Sequence, residues 1–438
     1  MGLSKRQLHL NLNLLNSGTH AAAWRWPGSD PKAFINIEHY VHLAQVSERG
    51  LFDAIFLADF PGLPGRADLR PFQSLDPALI LSAVALATQR IGLVGTISTS
   101  YSAPYDIARR FASLDHISHG RSAVNIVTSA DASSALSFGF AAPLPHALRY
   151  ERAAEFVDVL KALWDSWKDD ALLADQSRPQ FIDKNLISPL AHHGKHFTVQ
   201  GALNVPRAPQ GRPVLIQAGG SEDGIDLAAR HADAVFTVAH TLDSAIAYAE
   251  KLRHRLHDFG RPADSVLIFP GLVTILGRTE EEAREREHEL WKLSSDDSGL
   301  AWLSGLMQID VSAFDLDKPL PEGLSIPADG IQTFTREALE KSRREQLSIR
   351  ELIRAQGGGG TNHRTFVGTP DALAKSIGEW FASGAVDGFN LMPDVLPSGL
   401  ELFVDEVVPL LQEQGIFRSR YEGQTLREHL SLQKPAAR

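Results

Sequence analysis

The sequence predicts an α/β protein, a (β/α)8 TIM barrel with insertions. Three observations point there. Eight short apolar runs recur along the chain, longer amphipathic segments separate them, and most runs lack clean alternation, as strands covered on both faces should. An open doubly wound sheet has the same periodicity and stays open as the rival at this point.

The predicted strands are Leu8–Leu14, Ala54–Leu57, Ile91–Ile97, Ser122–Val127, Val214–Gln217, Ala234–Val238, Val266–Ile275 and Gly388–Leu391. Between them, Ile35–Arg49 has helical apolar spacing and stops at Gly50. Pro77–Thr88 opens with Asp76 as N-cap ahead of proline at the first helical position. Pro104–Ser118 closes on His119-Gly120, and Arg149–Trp167, Gly224–His231, Leu242–Phe259 and Asp371–Ser383 follow the same logic. Glu280–Leu293, dense in Glu and Arg, reads as a solvated face.

The 438 residues are expected to form a single barrel domain with two insertions, at about 170–213 and 294–365. The second contains Gly357-Gly358-Gly359-Gly360 beside Thr361 and His363, which reads either as a mobile segment near a site or as a linker. The polar tail, about 413–438, is expected to wrap outside the barrel.

Composition narrows the function. Lys plus Arg total 43 against 53 Asp plus Glu, a formal charge of −10, which argues against nucleic acid as a partner. There are no cysteines, which excludes disulfides, thiolate metal sites and cysteine nucleophiles. No apolar run reaches the roughly 20 residues of a membrane span, and Met1–Gln7 lacks the apolar stretch of a secretory signal, so a cytoplasmic protein is expected.

In a barrel, sites form where strands end. The fifth run exits through Gly219-Gly220-Ser221 before a helix begins. Glycines and a hydroxyl at that place let backbone N–H groups and the helix dipole hold an anion, a phosphate above all; a plain tight turn is the other reading. Walker and GxGxxG patterns are absent in the required context. His146 and Tyr150, four apart at a helix entry, can both donate to one ligand, or form an ordinary helix start. The strand ends also present Asp59, Thr96 and Asn125. No His-x-His pair follows the first run, and His192, His193 and His196 show no obvious carboxylate partner, so no metal is expected.

Several segments, in order, resemble one family. They are Arg90 to Thr96, Tyr105 to Ser118, Gly120-Arg121, Asn125 to Ser129, Asn204 to Arg207, Pro209 to Pro213, Gln217-Ala218-Gly219, Asp387 to Asn390, and the tail residues Gly415 to Arg418, Tyr421 to Gly423 and Thr425 to Arg427. Together they resemble the bacterial-luciferase-like flavin monooxygenases, in the branch holding the nitrilotriacetate, EDTA and dibenzothiophene-sulfone monooxygenases. The resemblance implies an FMNH2-dependent monooxygenase of a two-component system. A separate NAD(P)H:flavin reductase would supply reduced FMN, and O2 would act through a C4a-hydroperoxyflavin on a small organic substrate. It implies flavin contacts at Asp59, Thr96, His146, Tyr150 and Ser221, with Gly219 and Gly220 at the phosphate and Asn125 as an extra ring or substrate contact. His146 would support catalysis. His20, near Trp24 and Trp26, is a candidate proton donor or substrate contact, or an ordinary loop histidine. A homodimer or higher homo-oligomer is expected, and the 294–365 insertion is a candidate lid.

This chain differs from the branch in the short apolar stretch before His146, with Pro143 and Pro145, and in Ala123-Val124 before Asn125. Both bear on substrate identity. The alternatives are an F420- or flavin-dependent oxidoreductase, a flavin-binding protein without oxygenase turnover, and a metal-dependent barrel hydrolase.

Overall fold

A computed structural model describes residues 6–311, 314–327, 332–355 and 362–437. The eight expected strands are present: β1 (His9–Asn13), β2 (Ala54–Leu57), β3 (Gly92–Ser98), β4 (Ser122–Val127), β5 (Val214–Ala218), β6 (Ala234–Thr237), β7 (Leu267–Leu276) and β8 (Gly388–Pro393). They run parallel in the order β6-β5-β4-β3-β2-β1-β8-β7, and pairing of β6 with β7 closes the ring. The sheet is a closed barrel, which removes the open doubly wound alternative.

Alternation along each strand divides the side chains. Leu10, Leu12, Leu93, Val124, Ile126 and Leu215 face out and pack in the large core under the helices. Ala54, Phe56, Val94, Ala123, Val214, Ile216, Ala234 and Phe269 face in. The register places Asn11 beside Ala54 and Asn390, and Thr96 beside Asn125, so amides and hydroxyls succeed the apolar interior toward the strand ends.

Helices begin where local chemistry provides partners for free N–H groups. Asp76 caps Pro77–Ala87 by accepting from Ala78 and Leu79, with proline at the first position. The helix expected from Arg149 starts earlier, at His146, directly after Pro145.

The insertions carry structure that the sequence did not show. The 170–213 insertion contains two antiparallel hairpins, Leu172–Asp175 with Gln180–Ile182 and Leu190–His193 with Thr198–Gly201. The second insertion carries helices Asp296–Met307, Gln332–Glu345 and Ile349–Ala355, with a small core of their own around Leu303, Leu339 and Leu352. It ends in a further strand, Arg364–Gly368, parallel to the outer half of β7. The four-glycine run and Thr361 lie outside the described residues.

The tail does not simply wrap the outside. Leu426 and Leu430 join the barrel's interior cluster. A Cβ on Gly92 would lie 2.5 Å from Leu426, so the tail seats against the start of β3 where only glycine fits. Apolar residues in a polar segment bury themselves at the barrel's lower opening. No helix among the described residues is long and apolar enough to cross a membrane.

Candidate active site at the strand ends

The turn after β5 builds the first part of the site. Ser221 is the N-cap of helix Glu222–His231, its Oγ accepting from Gly224 N at 3.2 Å. The same hydroxyl donates to the Tyr150 hydroxyl at 3.3 Å. A Cβ on Gly224 would sit 3.2 Å from Ser221 Oγ and 3.4 Å from Tyr150 OH, and one on Gly219 would meet Gln217 Nε2 at 2.7 Å. The two glycines therefore keep a close cradle open around the hydroxyls.

His146 lies one turn before Tyr150, ring centroids 4.8 Å apart, and its Nδ1 is 3.0 Å from Asp223 Oδ2. Asp223 and Glu222 are acidic residues in the helix's first turn, where they compete with a bound anion. Both are engaged: Asp223 by His146, and Glu222 by Lys251 and Arg255. With these carboxylates turned to their own partners, the Ser221 and Tyr150 hydroxyls and the helix N-terminus can hold a phosphate.

The second part is one row along the barrel wall. Asn125 Nδ2 donates to Thr96 Oγ1 at 2.9 Å, and Asn125 stands beside Ile216 of β5, three residues before Gly219. The Asn125 Oδ1 is buried without a hydrogen-bond partner in the protein. Asp59, two residues past β2, is half-buried; burial first, then the negative Asp76, push its carboxyl up to about 6. Asp59, Thr96, Ser98 and Tyr101 line a cavity of about 260 Å³, with the Phe138 ring stacked 5.0 Å from Tyr101.

The wall joins the two parts through Phe236 of β6, which pairs with Ala218 at the base of the β5 turn and packs 5.4 Å from Phe56 of β2. Asp59, Thr96, Asn125, His146, Tyr150, Gly219, Gly220 and Ser221 thus lie along the β2 to β5 strand ends.

His20 stands apart, on the β1–β8 side. Backbone bonds from Thr19 N to Pro393 O (2.9 Å) and His20 N to Asp394 O (3.1 Å) tie its loop to β8. Ala22 N donates to His20 Nδ1 at 3.2 Å, which places the ring proton on Nε2; that atom is buried with no partner in the protein. Burial lowers the pKa to about 4, and Trp291 meets the ring edge-on at 5.0 Å. At neutral pH His20 is an uncharged donor.

A larger surface groove, about 610 Å³, contains none of these residues, and its arginines are engaged, Arg278 with Glu406 and Arg286 with Asp394. The loop histidines do have carboxylates: His192 Nε2 lies 2.9 Å from Glu155, and His196 Nε2 lies 3.1 Å from Glu151. Their i, i+4 spacing on the His146 helix was the available signal. Among the described residues no group of three or more such side chains could hold a metal. The sequence reading also missed Asp223, whose place in the first turn after Ser221 could have flagged it.

The luciferase-like monooxygenase family profile matches residues 16–387. N-acetyl-S-(2-succino)cysteine monooxygenase of Bacillus subtilis (strain 168) is 43% identical over 439 residues, covering 100% of this chain and 99% of the relative. Nitrilotriacetate monooxygenase component A of Aminobacter aminovorans is 41% identical over 448 residues, covering 99% and 98%. A riboflavin lyase solved with modified FMN and riboflavin superimposes with a TM-score of 0.86 at 30% identity, covering 99% of this chain and 97% of that one. The chain belongs to the luciferase-like monooxygenase family.

Proposed function

We propose that the chain is the oxygenating component of a two-component system that takes reduced FMN from a separate NAD(P)H:flavin reductase in the cytoplasm and oxygenates a small organic molecule. The observation that carries this reading is the cradle after β5. Two hydroxyls, an imidazole and a helix N-terminus converge there, and glycines leave the approach clear.

The residues present fit the cofactor. Gly219, Gly220, Ser221, Tyr150 and His146 would hold the phosphate, and Asp59, Thr96 and Asn125 would meet the ring; the partnerless Asn125 Oδ1 awaits a donor. When bound, the reduced flavin supplies the electrons that activate O2. The protein binds, orients and shields. His146 occupies the Asp223 carboxylate and keeps it from the phosphate. Half-buried Asp59, ionised above about pH 6, offers an acceptor to ring N–H groups. His20, uncharged and with its proton fixed on Nε2, suits hydrogen bonding to substrate better than proton delivery. The helices of the second insertion, outside the eight-stranded ring, are the elements that would exclude water.

A homodimer is part of the proposal. Helix Pro77–Ala87 exposes Leu79 (73%) and Leu86 (78%) at i and i+7, with the partly exposed Ala83 between them. Such a seam can pair with itself across a two-fold axis.

The test supplies reduced FMN, 18O2 and N-acetyl-S-(2-succino)cysteine, and follows the product by mass spectrometry. One labelled oxygen in the product is the expected result. Tight binding of reduced FMN with only peroxide released, across a panel of thioethers, amines and sulfones, would favour a flavin-binding protein instead.

A further inference from the structure

At Gly271, β7 brings no side chain to the interior face that Phe269 shares. The imidazole of His363 fills the space: a Cβ on Gly271 would lie 2.4 Å from its Nδ1. His363 reaches the barrel from outside the ring, on the last residue before the strand Arg364–Gly368. Its ring stacks on Phe236 at 5.0 Å and 10°, and Phe334 of the insertion meets it edge-on at 5.8 Å. Phe236 is the residue that joins Ala218, below the β5 turn, to Phe56 of β2. His363 therefore stands on the ring linking the two parts of the site, under the insertion.

One of its ring nitrogens is unused. His363 is 5% exposed, and Nδ1 has no hydrogen-bond partner in the protein. Asn390, the register neighbour of Gly271, has a buried Oδ1 in the same condition. Burial lowers the His363 pKa to about 3, with a further lowering from His240, so the ring is uncharged at neutral pH. A buried polar atom without a partner costs stability unless a ligand completes it.

We propose that His363 forms a wall of the substrate chamber and sets specificity, its uncharged ring nitrogen accepting an uncharged polar group such as an amide and rejecting a cationic amine. The rejection follows from desolvation. An ammonium group there would trade its water shell for one imidazole acceptor and two aromatic rings with no carboxylate to balance its charge, so burying it costs more than burying an amide. This inference rests on the monooxygenase reading above, because it takes the barrel interior beside the Phe236–His363 stack as the place where substrate meets the flavin.

The test compares N-acetyl-S-(2-succino)cysteine with S-(2-succino)cysteine, which carries a free amine in place of the amide. Three proteins are used with reductase, FMN and O2: the wild type, His363→Phe, which keeps the stacked ring but has no nitrogen, and Gly271→Ala, which keeps His363 but forces it aside. The wild type is expected to prefer the acetylated compound by about tenfold or more in kcat/KM, the scale of one hydrogen bond in a buried site. Both variants should lose most of that preference through KM, while the dissociation constant for reduced FMN stays near wild type; the melting temperature should hold in His363→Phe and fall in Gly271→Ala, where the displaced ring overpacks the interior. A wild type that does not discriminate, or a preference that survives in both variants, overturns the assignment. Failure of the parent reading looks different: a wild type that binds no reduced FMN overturns both.

Discussion

In the proposed site, Ser221 would serve fold and ligand together. Its hydroxyl accepts from Gly224 N as a helix cap and donates to Tyr150 at the cradle. Ser221→Ala should weaken FMN binding by about 1–2 kcal/mol, the worth of one hydrogen bond to a charged group. It should also lower stability by about 1 kcal/mol through the lost cap. Flavin fluorescence titration and thermal melts read the two effects separately, and an unchanged dissociation constant would remove Ser221 from the site. Asp59 gives the pH prediction. Its folded pKa is raised to about 6, above the usual 3.8 of an aspartate. Between those values the folded chain keeps a proton that the unfolded chain has lost, so this group's contribution to stability falls as pH rises across that window. Affinity for reduced FMN should rise through a midpoint near 6, and Asp59→Asn should flatten that profile. A midpoint that persists in the variant would assign the titration elsewhere.

At the scale of elements, the sequence shows most clearly what burial on both faces makes apolar. Ala54–Leu57 and Ser122–Val127 match residue for residue, and the Asp76-Pro77 start gave its helix correctly, because strand cores and caps leave local signals. The strand Arg364–Gly368 left none: all but its last residue are only partly buried, and it follows a glycine run that reads as loop. The hairpin Leu190–His193 with Thr198–Gly201 alternates in exposure, yet its residues are too polar to show an apolar period. For the site, the β5 turn was legible from glycines before a helix. The Phe236–His363 stack was not, since it joins residues 127 positions apart in sequence and only the folded chain brings them together. The exposed seam on Pro77–Ala87 belongs to this scale as well. Leu79→Glu with Leu86→Glu should turn a dimer into a monomer in light scattering with little change in melting temperature. A wild type already monomeric would refute that interface.

For the whole molecule, the C-terminal tail locks the barrel from below. Arg418 pairs with the fully buried Asp53, which also takes a 3.0 Å contact from His9 of β1 and accepts from Leu10 N at 2.9 Å. Arg427 adds a 2.8 Å pair with Asp233, at the start of β6. Together with Leu426 and Leu430, these contacts join the last residues to the starts of β2, β3 and β6. Arg418→Ala would leave the buried Asp53 charge without its guanidinium, with only His9 and Leu10 N beside it, a loss of about 3 kcal/mol. Chemical denaturation measures it; a loss under 1 kcal/mol would show that the tail is not part of the fold's stability. The polar look of residues 413–438 concealed this role, because the few apolar side chains that matter are spaced far apart.

The cradle after β5 is the centre of the account, and comparing reduced FMN with reduced riboflavin tests it most directly, since the two differ only in the phosphate. Anaerobic titration should show FMN bound at least about a hundredfold more tightly, in line with two or more charge-assisted hydrogen bonds, and Ser221→Ala should narrow that gap. Equal affinity for the two flavins would contradict a phosphate held between Ser221, Tyr150 and the helix N-terminus.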